Sequence, residues 1–228
     1  MRYVPVLCLI AVSVMATCVF LIWRDKEKPA FNALLKSIAS FCFLALAVVA
    51  TFVSDNFTMP MLFILLGLTS SVFGDVFLGF RDFKNEHHDK ALYSGFSAFI
   101  VTQILYLLGL IFLFGFNWWS FLLGGLITLT ITLSEGLLKL DFGKFRIIVI
   151  VYSLLLMTVM SQGVFSFAKY GFSTSNLLLM LGVIFFAISD LILSFIYFKK
   201  DSKDWLNILN YLTYYLAQIM IATSLMFI

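Results

Sequence analysis

Charge is scarce in this chain: 12% of its 228 residues are Asp, Glu, Lys or Arg, against a hydrophobic share of 62%. A soluble domain carries roughly 25% charged residues, so a soluble enzyme or binding module is excluded. Histidine, cysteine and proline are rarer still, with 2, 3 and 3 copies. Cys8, Cys18 and Cys42 all fall inside apolar runs without metal-ligand spacing, which excludes a disulfide framework and a thiolate metal site. His87 and His88 share one charged loop, with no carboxylate or Cys at helical ligand spacing, and read as a solvated pair. No metal, cofactor or nucleic-acid partner is expected. Pro5, Pro29 and Pro60 all lie near the starts of apolar runs, so no helix is broken midway. The absence of G-x-S-x-G, H-E-x-x-H and a Cys–His pair disfavours serine, zinc and cysteine lipase chemistry.

What is present is apolar sequence in long runs. A helix needs about 20 such residues to cross the hydrocarbon core, and these runs lack the alternation of barrel strands. The expected fold is all-α: a polytopic membrane protein of eight transmembrane helices in one domain. Its spans fall near 3–23, 31–53, 60–80, 92–116, 118–138, 145–168, 177–198 and 207–228. The first run is too long for a signal-peptide core and lacks a clear cleavage site, so it counts as a helix.

The few charges are sorted by side. Arg24, Lys26, Lys28, Lys36, Arg81, Lys84, Lys90, Lys139, Lys144, Arg146, Lys199, Lys200 and Lys203 fall at one end of these spans, leaving Arg2 and Lys169 for the other. The basic end is expected to be cytoplasmic, with both termini on the opposite side. Trp118, Trp119 and Tyr170 mark that opposite interface.

Two acids break the apolar pattern, in the same frame. Gly74-Asp75-Val76-Phe77-Leu78-Gly79-Phe80 and Ser189-Asp190-Leu191-Ile192-Leu193-Ser194-Phe195 both read small residue, Asp, two apolar residues, Leu, small residue, Phe. A glutamine follows each Asp by 28 positions, Gln103 and Gln218. The echo predicts two parallel four-helix repeats. Carboxylates inside lipid are costly and mark function. Counting helical rise puts Asp75, Asp190 and Lys36 in the basic half of the bilayer.

Polar stripes accompany them. Asn207, Tyr211, Tyr214 and Gln218 share one face of the last helix, and Phe99, Gln103 and Tyr106 one face of the fourth. Thr128, Thr132 and Glu135 form a third stripe on the fifth. Lipid cannot satisfy such stripes, so they are expected to converge on a polar cavity walled by Phe, Leu and Met. Two aspartates there could share a proton and supply a general acid and a general base. Such a site suits acid-catalysed hydrolysis of a lipid, or a proton-coupled transporter of a lipid or small molecule. The residues alone leave both open.

Gly182-Val183-Ile184-Phe185-Phe186-Ala187-Ile188-Ser189-Asp190 and Tyr214-Tyr215-Leu216-Ala217-Gln218 resemble the lysoplasmalogenase (YhhN-like) family of membrane hydrolases. Phe73-Gly74-Asp75-Val76-Phe77-Leu78 and Ala33-Leu34-Leu35-Lys36 carry the same resemblance. It implies eight helices and cleavage of the vinyl ether bond of lysoplasmalogens drawn from the membrane. The products would be a fatty aldehyde and glycerophosphoethanolamine or glycerophosphocholine. Asp75 and Asp190 match the family's essential aspartates, Lys36 its lysine, and Tyr214 and Gln218 its Tyr and Gln. Two positions depart from the family pattern, which often has His at Gln103 and Pro at Ser37; the first departure removes a proton carrier. Candidate substrate contacts are Lys36, Gln103, Tyr106, Asn210, Tyr214, Tyr215 and Gln218, with Lys36 expected to anchor the phosphate. Asp75, the shallower acid, is expected to be the better hydrated and hence the base.

Overall fold

The computed structural model describes residues 2–24, 28–54, 56–81, 88–200 and 202–228, without the side chains of Arg81 and His88. His87 and part of the charged loop around it lie outside the described residues. The helices are α1 Val4–Trp23, α2 Pro29–Val53, α3 Met59–Arg81, α4 His88–Phe114, α5 Trp118–Leu133, α6 Glu135–Leu138, α7 Arg146–Tyr170, α8 Thr174–Phe198 and α9 Trp205–Ser224. Two single 3-10 turns precede α7 and follow α9, and the described residues contain no strand.

The helix starts follow from the rare residues. Each proline occupies the first turn of a helix: Pro5 in α1, Pro29 in α2 and Pro60 in α3. There its missing N–H costs nothing, because first-turn donors have no helical acceptor. Asn117 caps α5 by accepting from the Trp119 N–H, and Ser173 caps α8 by accepting from the Asn176 N–H. Gly115 and Gly171 end α4 and α7 at φ values of 84° and 72°, which residues with a Cβ rarely adopt.

Six helices, α1 to α4, α7 and α8, are long and apolar enough to cross a membrane, and make this a multi-pass membrane protein. The other two expected spans take a different form. The run 118–138 is divided at Ser134 into the 16-residue α5 and the short α6. The 20-residue α9 is long enough, but its Asn, Gln and Tyr residues leave it less apolar than the six.

Packing pairs α3 with α4 and α8 with α9 most extensively. Beyond those hairpins, α1 packs on α2 and α5 on α7, while α2 meets α3 and α7 meets α8. Two further contacts, α2 on α9 and α4 on α7, join the first four helices to the rest. Most large exposed side chains, among them Ile22, Phe52, Leu133 and Ile147, are apolar, as a surface wetted by lipid requires. The interior is lined along α9 by Asn210, Thr213, Tyr214, Tyr215 and Gln218, all buried.

Candidate functional site

Asp75 and Asp190 line the same cavity, with a volume of about 310 Å³. Arg24 beyond α1, Asn32 and Lys36 of α2, Tyr197 of α8, and Asn207, Asn210, Tyr211 and Tyr214 of α9 line it too. Phe20, Leu78, Phe99, Leu193 and Ile196 provide its apolar wall. Methionine takes no part in that wall, contrary to the expectation from sequence.

The two carboxyls are held very differently. Asp75 is 2% exposed. Its Oδ1 lies 3.0 Å from Lys36 Nζ, and its Oδ2 accepts from Ser40 Oγ at 2.6 Å and from the Tyr214 hydroxyl at 2.7 Å. A cation and two hydroxyl donors on one carboxyl form the bonding pattern of an ionised group. Asp190 is half-buried, and among the described residues its hydrogen-bond partner is the Tyr152 hydroxyl, which donates to Oδ2. The expectation that Asp75 is the better hydrated acid is therefore reversed. Depth along a helix says how far a residue lies from its end, but not what covers it, and Asp75 is covered by α2 and α9.

Behind Asp75 runs a buried relay. The Tyr106 hydroxyl donates to Gln218 Oε1 at 2.8 Å, and Gln218 Nε2 donates to the Tyr214 hydroxyl at 3.0 Å. The Tyr214 ring is enclosed by Phe43, Phe99, Phe186 and Tyr215, with centroids 5.3 to 6.5 Å away and steep interplanar angles. Tyr215 donates to the Lys36 carbonyl at 3.0 Å and so fixes the turn of α2 that carries the lysine. Asn210 Nδ2 bonds the Ser189 carbonyl at 2.7 Å, tying α9 to the residue before Asp190.

Of the expected substrate contacts, Lys36, Asn210 and Tyr214 reach the cavity wall, whereas Gln103, Tyr106, Tyr215 and Gln218 do not. Those four are buried elsewhere in the bundle, where Tyr106 and Gln218 hold Tyr214 and Tyr215 holds the turn of α2 that carries Lys36. Gln103 lies against Tyr152 without closing a hydrogen bond of normal geometry, and its Nε2 has no partner among the described residues. The third stripe does not converge at all. Thr132 bonds its own helix, Thr128 Oγ1 is buried without a partner among the described residues, and Glu135 pairs with Arg146 at 3.2 Å.

Ser40, Tyr152, Asn32 and Tyr197, and Arg24 as a cavity residue, escaped the reading by sequence. The serine offered no signal, since most helical serines bond their own backbone. Tyr152 offered one, a spacing of 38 residues to Asp190 that nearly matches the 39 from Lys36 to Asp75. Arg24 places its guanidinium 5.6 Å from the centre of the Tyr211 ring, and Lys36 Nζ lies 5.9 Å from the same centre. Among the described residues, no group of three or more His, Cys, Asp or Glu side chains gathers as a metal centre would.

Comparison with protein families matches residues 31–225 to the YhhN family. Curated proteins and solved structures give no match.

Proposed function

Because the chain belongs to the YhhN family, we propose that it is a membrane hydrolase that cleaves the vinyl ether bond of lysoplasmalogens. The observation that carries this reading is the shared cavity, in which one aspartate is ion-paired and the other meets a neutral hydroxyl. Such an unequal pair is what acid–base hydrolysis needs.

Asp190, as the acid, gives its proton to the vinyl carbon remote from the ether oxygen. The C=C electron pair forms the new C–H bond, and the adjacent carbon becomes an oxocarbenium centre. Asp75, already a carboxylate, stabilises that cation and takes a proton from the attacking water, whose oxygen bonds the cationic carbon. The hemiacetal then breaks its C–O bond to the glycerol: Asp75 gives its proton to the departing glycerol oxygen, the ionised Asp190 takes the hemiacetal O–H proton, and fatty aldehyde and glycerophospho-alcohol leave with both carboxyls in their starting states.

Lys36 was expected to hold the phosphate, but its commitment to Asp75 supports a different division of labour. Arg24, nearer the basic end of the helices, is the cation for the headgroup, assisted by Asn32 and Asn207. Eight crossings, termini on the non-cytoplasmic side and a cavity on the cytoplasmic side complete the reading, supported by the basic residues gathered at one end of the helices.

The test is purified protein with lysoplasmenylethanolamine, assayed for aldehyde beside Asp75→Asn and Asp190→Asn. Aldehyde release by the wild type and its loss in both variants is the expected result. Turnover near wild type in either variant defeats the two-aspartate mechanism. Uptake into proteoliposomes without cleavage replaces hydrolysis by transport.

A further inference from the structure

We propose that Tyr152 is the positioning residue for Asp190, the counterpart of Lys36 in a second, altered copy of one half-site. This rests on the hydrolase reading above for its catalytic consequence, but not for the pairing itself.

The two copies align residue by residue. Gly67 and Gly182 each stand eight positions before their aspartate. A Cβ on Gly67 would meet Tyr106 at 2.5 Å and the Thr102 carbonyl at 3.4 Å. A Cβ on Gly182 would meet Ile221 at 2.6 Å and the Ala217 carbonyl at 3.2 Å. Tyr106 and Ile221 lie 39 positions after their respective glycines, and Thr102 and Ala217 lie 35 positions after them. The same residue pairs therefore touch in both halves. The helix preceding each aspartate helix, α2 or α7, carries the partner of that aspartate, and each also crosses to the other half, α2 to α9 and α7 to α4.

In this alignment the three donors around Asp75 have counterparts around Asp190. On the preceding helices, α2 and α7, the offset is one residue longer, 116 instead of the 115 that relates Asp75 to Asp190, and with that shift Lys36 corresponds to Tyr152, and Ser40, four residues on, to Leu156. Tyr214, which follows Asp190 by 24 positions, corresponds to Phe99, which follows Asp75 by 24. Leu156 is buried, and the Phe99 ring packs 6.5 Å from that of Tyr152. The second half-site thus keeps one donor where the first has three, and that donor is neutral. Apolar residues replace the other two, so among the described residues no second donor at Asp190 competes with its own proton for the other oxygen. Tyr152 lies outside the 310 Å³ cavity that Asp190 lines, so it fixes the carboxyl without touching substrate. It holds Oδ2, leaving Oδ1 to carry the transferable proton.

The experiment uses the full chain in detergent. The infrared C=O band of the protonated Asp190 carboxyl is assigned by its loss in Asp190→Asn. Tyr152→Phe is expected to shift that band and to lower kcat about ten- to a hundredfold, with KM little changed, as for a misoriented acid. Leu156→Ser, which restores the hydroxyl found beside Asp75, is expected to weaken the same band. A band unmoved by Tyr152→Phe overturns the pairing. A shifted band with kcat unchanged overturns the positioning role. If the wild type releases no aldehyde while the band still shifts, the hydrolase reading fails and the pairing stands.

Discussion

Tyr106 on α4 and Gln218 on α9 join the two halves of the chain through a hydrogen bond of 2.8 Å buried in the bundle. Gln218 passes the constraint on to Tyr214, and Tyr214 to Asp75. Replacing Gln218 by Leu strands the Tyr106 hydroxyl and removes the donor to Tyr214. The expected loss of unfolding free energy is about 1–3 kcal/mol, with slower turnover because Tyr214 is freed. Thermal unfolding in detergent checks this; an unaltered transition would show that the relay contributes nothing.

Lys36→Met leaves the Asp75 carboxylate buried without its cation. Breaking a buried pair by removing one partner costs about 3–5 kcal/mol. Because the partner is Asp75 and not the headgroup, the kinetic effect is expected in kcat. The double variant Lys36→Met/Asp75→Asn, which removes both charges, should recover most of the lost stability. A raised KM with unchanged kcat would return Lys36 to the role of phosphate anchor.

Gly67→Ala and Gly182→Ala force a methyl group into Tyr106 and Ile221, both buried. Overpacking of this kind costs about 1–3 kcal/mol. Gly125, where a Cβ meets nothing within 4 Å, is the matched control, and Gly125→Ala should leave the unfolding temperature unchanged or raise it. Gly67 is the more sensitive position, since Tyr106 cannot yield without breaking its bond to Gln218.

Gln103 is 1% exposed, and its amide nitrogen has no hydrogen-bond partner among the described residues. A buried unsatisfied donor costs about 1–3 kcal/mol, so Gln103→Met, apolar and of similar volume, should hold or raise stability. A clear fall in the unfolding temperature would mean that the amide has a partner in the membrane-embedded protein.

The helical bodies were legible because long apolar runs leave few alternatives, and prolines and capping residues punctuate them. The convergence of Asp75, Asp190 and Lys36 was legible through depth, since helical rise is regular. What escaped was direction and cover. Gln103 and Tyr106 share a face that looks polar in sequence, but periodicity does not reveal that of that face only Phe99 reaches the cavity. Thr128, Thr132 and Glu135 share a stripe that leads nowhere, because the Thr132 hydroxyl bonds its own helix and Glu135 finds Arg146. Tyr152 was hidden by ambivalence: a tyrosine in an apolar run is as well suited to packing as to donating.

The enclosure of Tyr214 has a consequence for the timing of costs. Four rings meet its own ring at angles from 73° to 87°, so its χ angles have nowhere to go. The rotational entropy of that side chain is given up once, when the chain folds. On the proposed hydrolysis, the Asp75 carboxylate would meet each substrate with its donors already aimed, and a cation forming beside it would find a preset field. Little reorganisation is left for the turnover itself, so a variant that loosens these rings without touching Asp75 would slow the chemistry by returning that entropy to the active state.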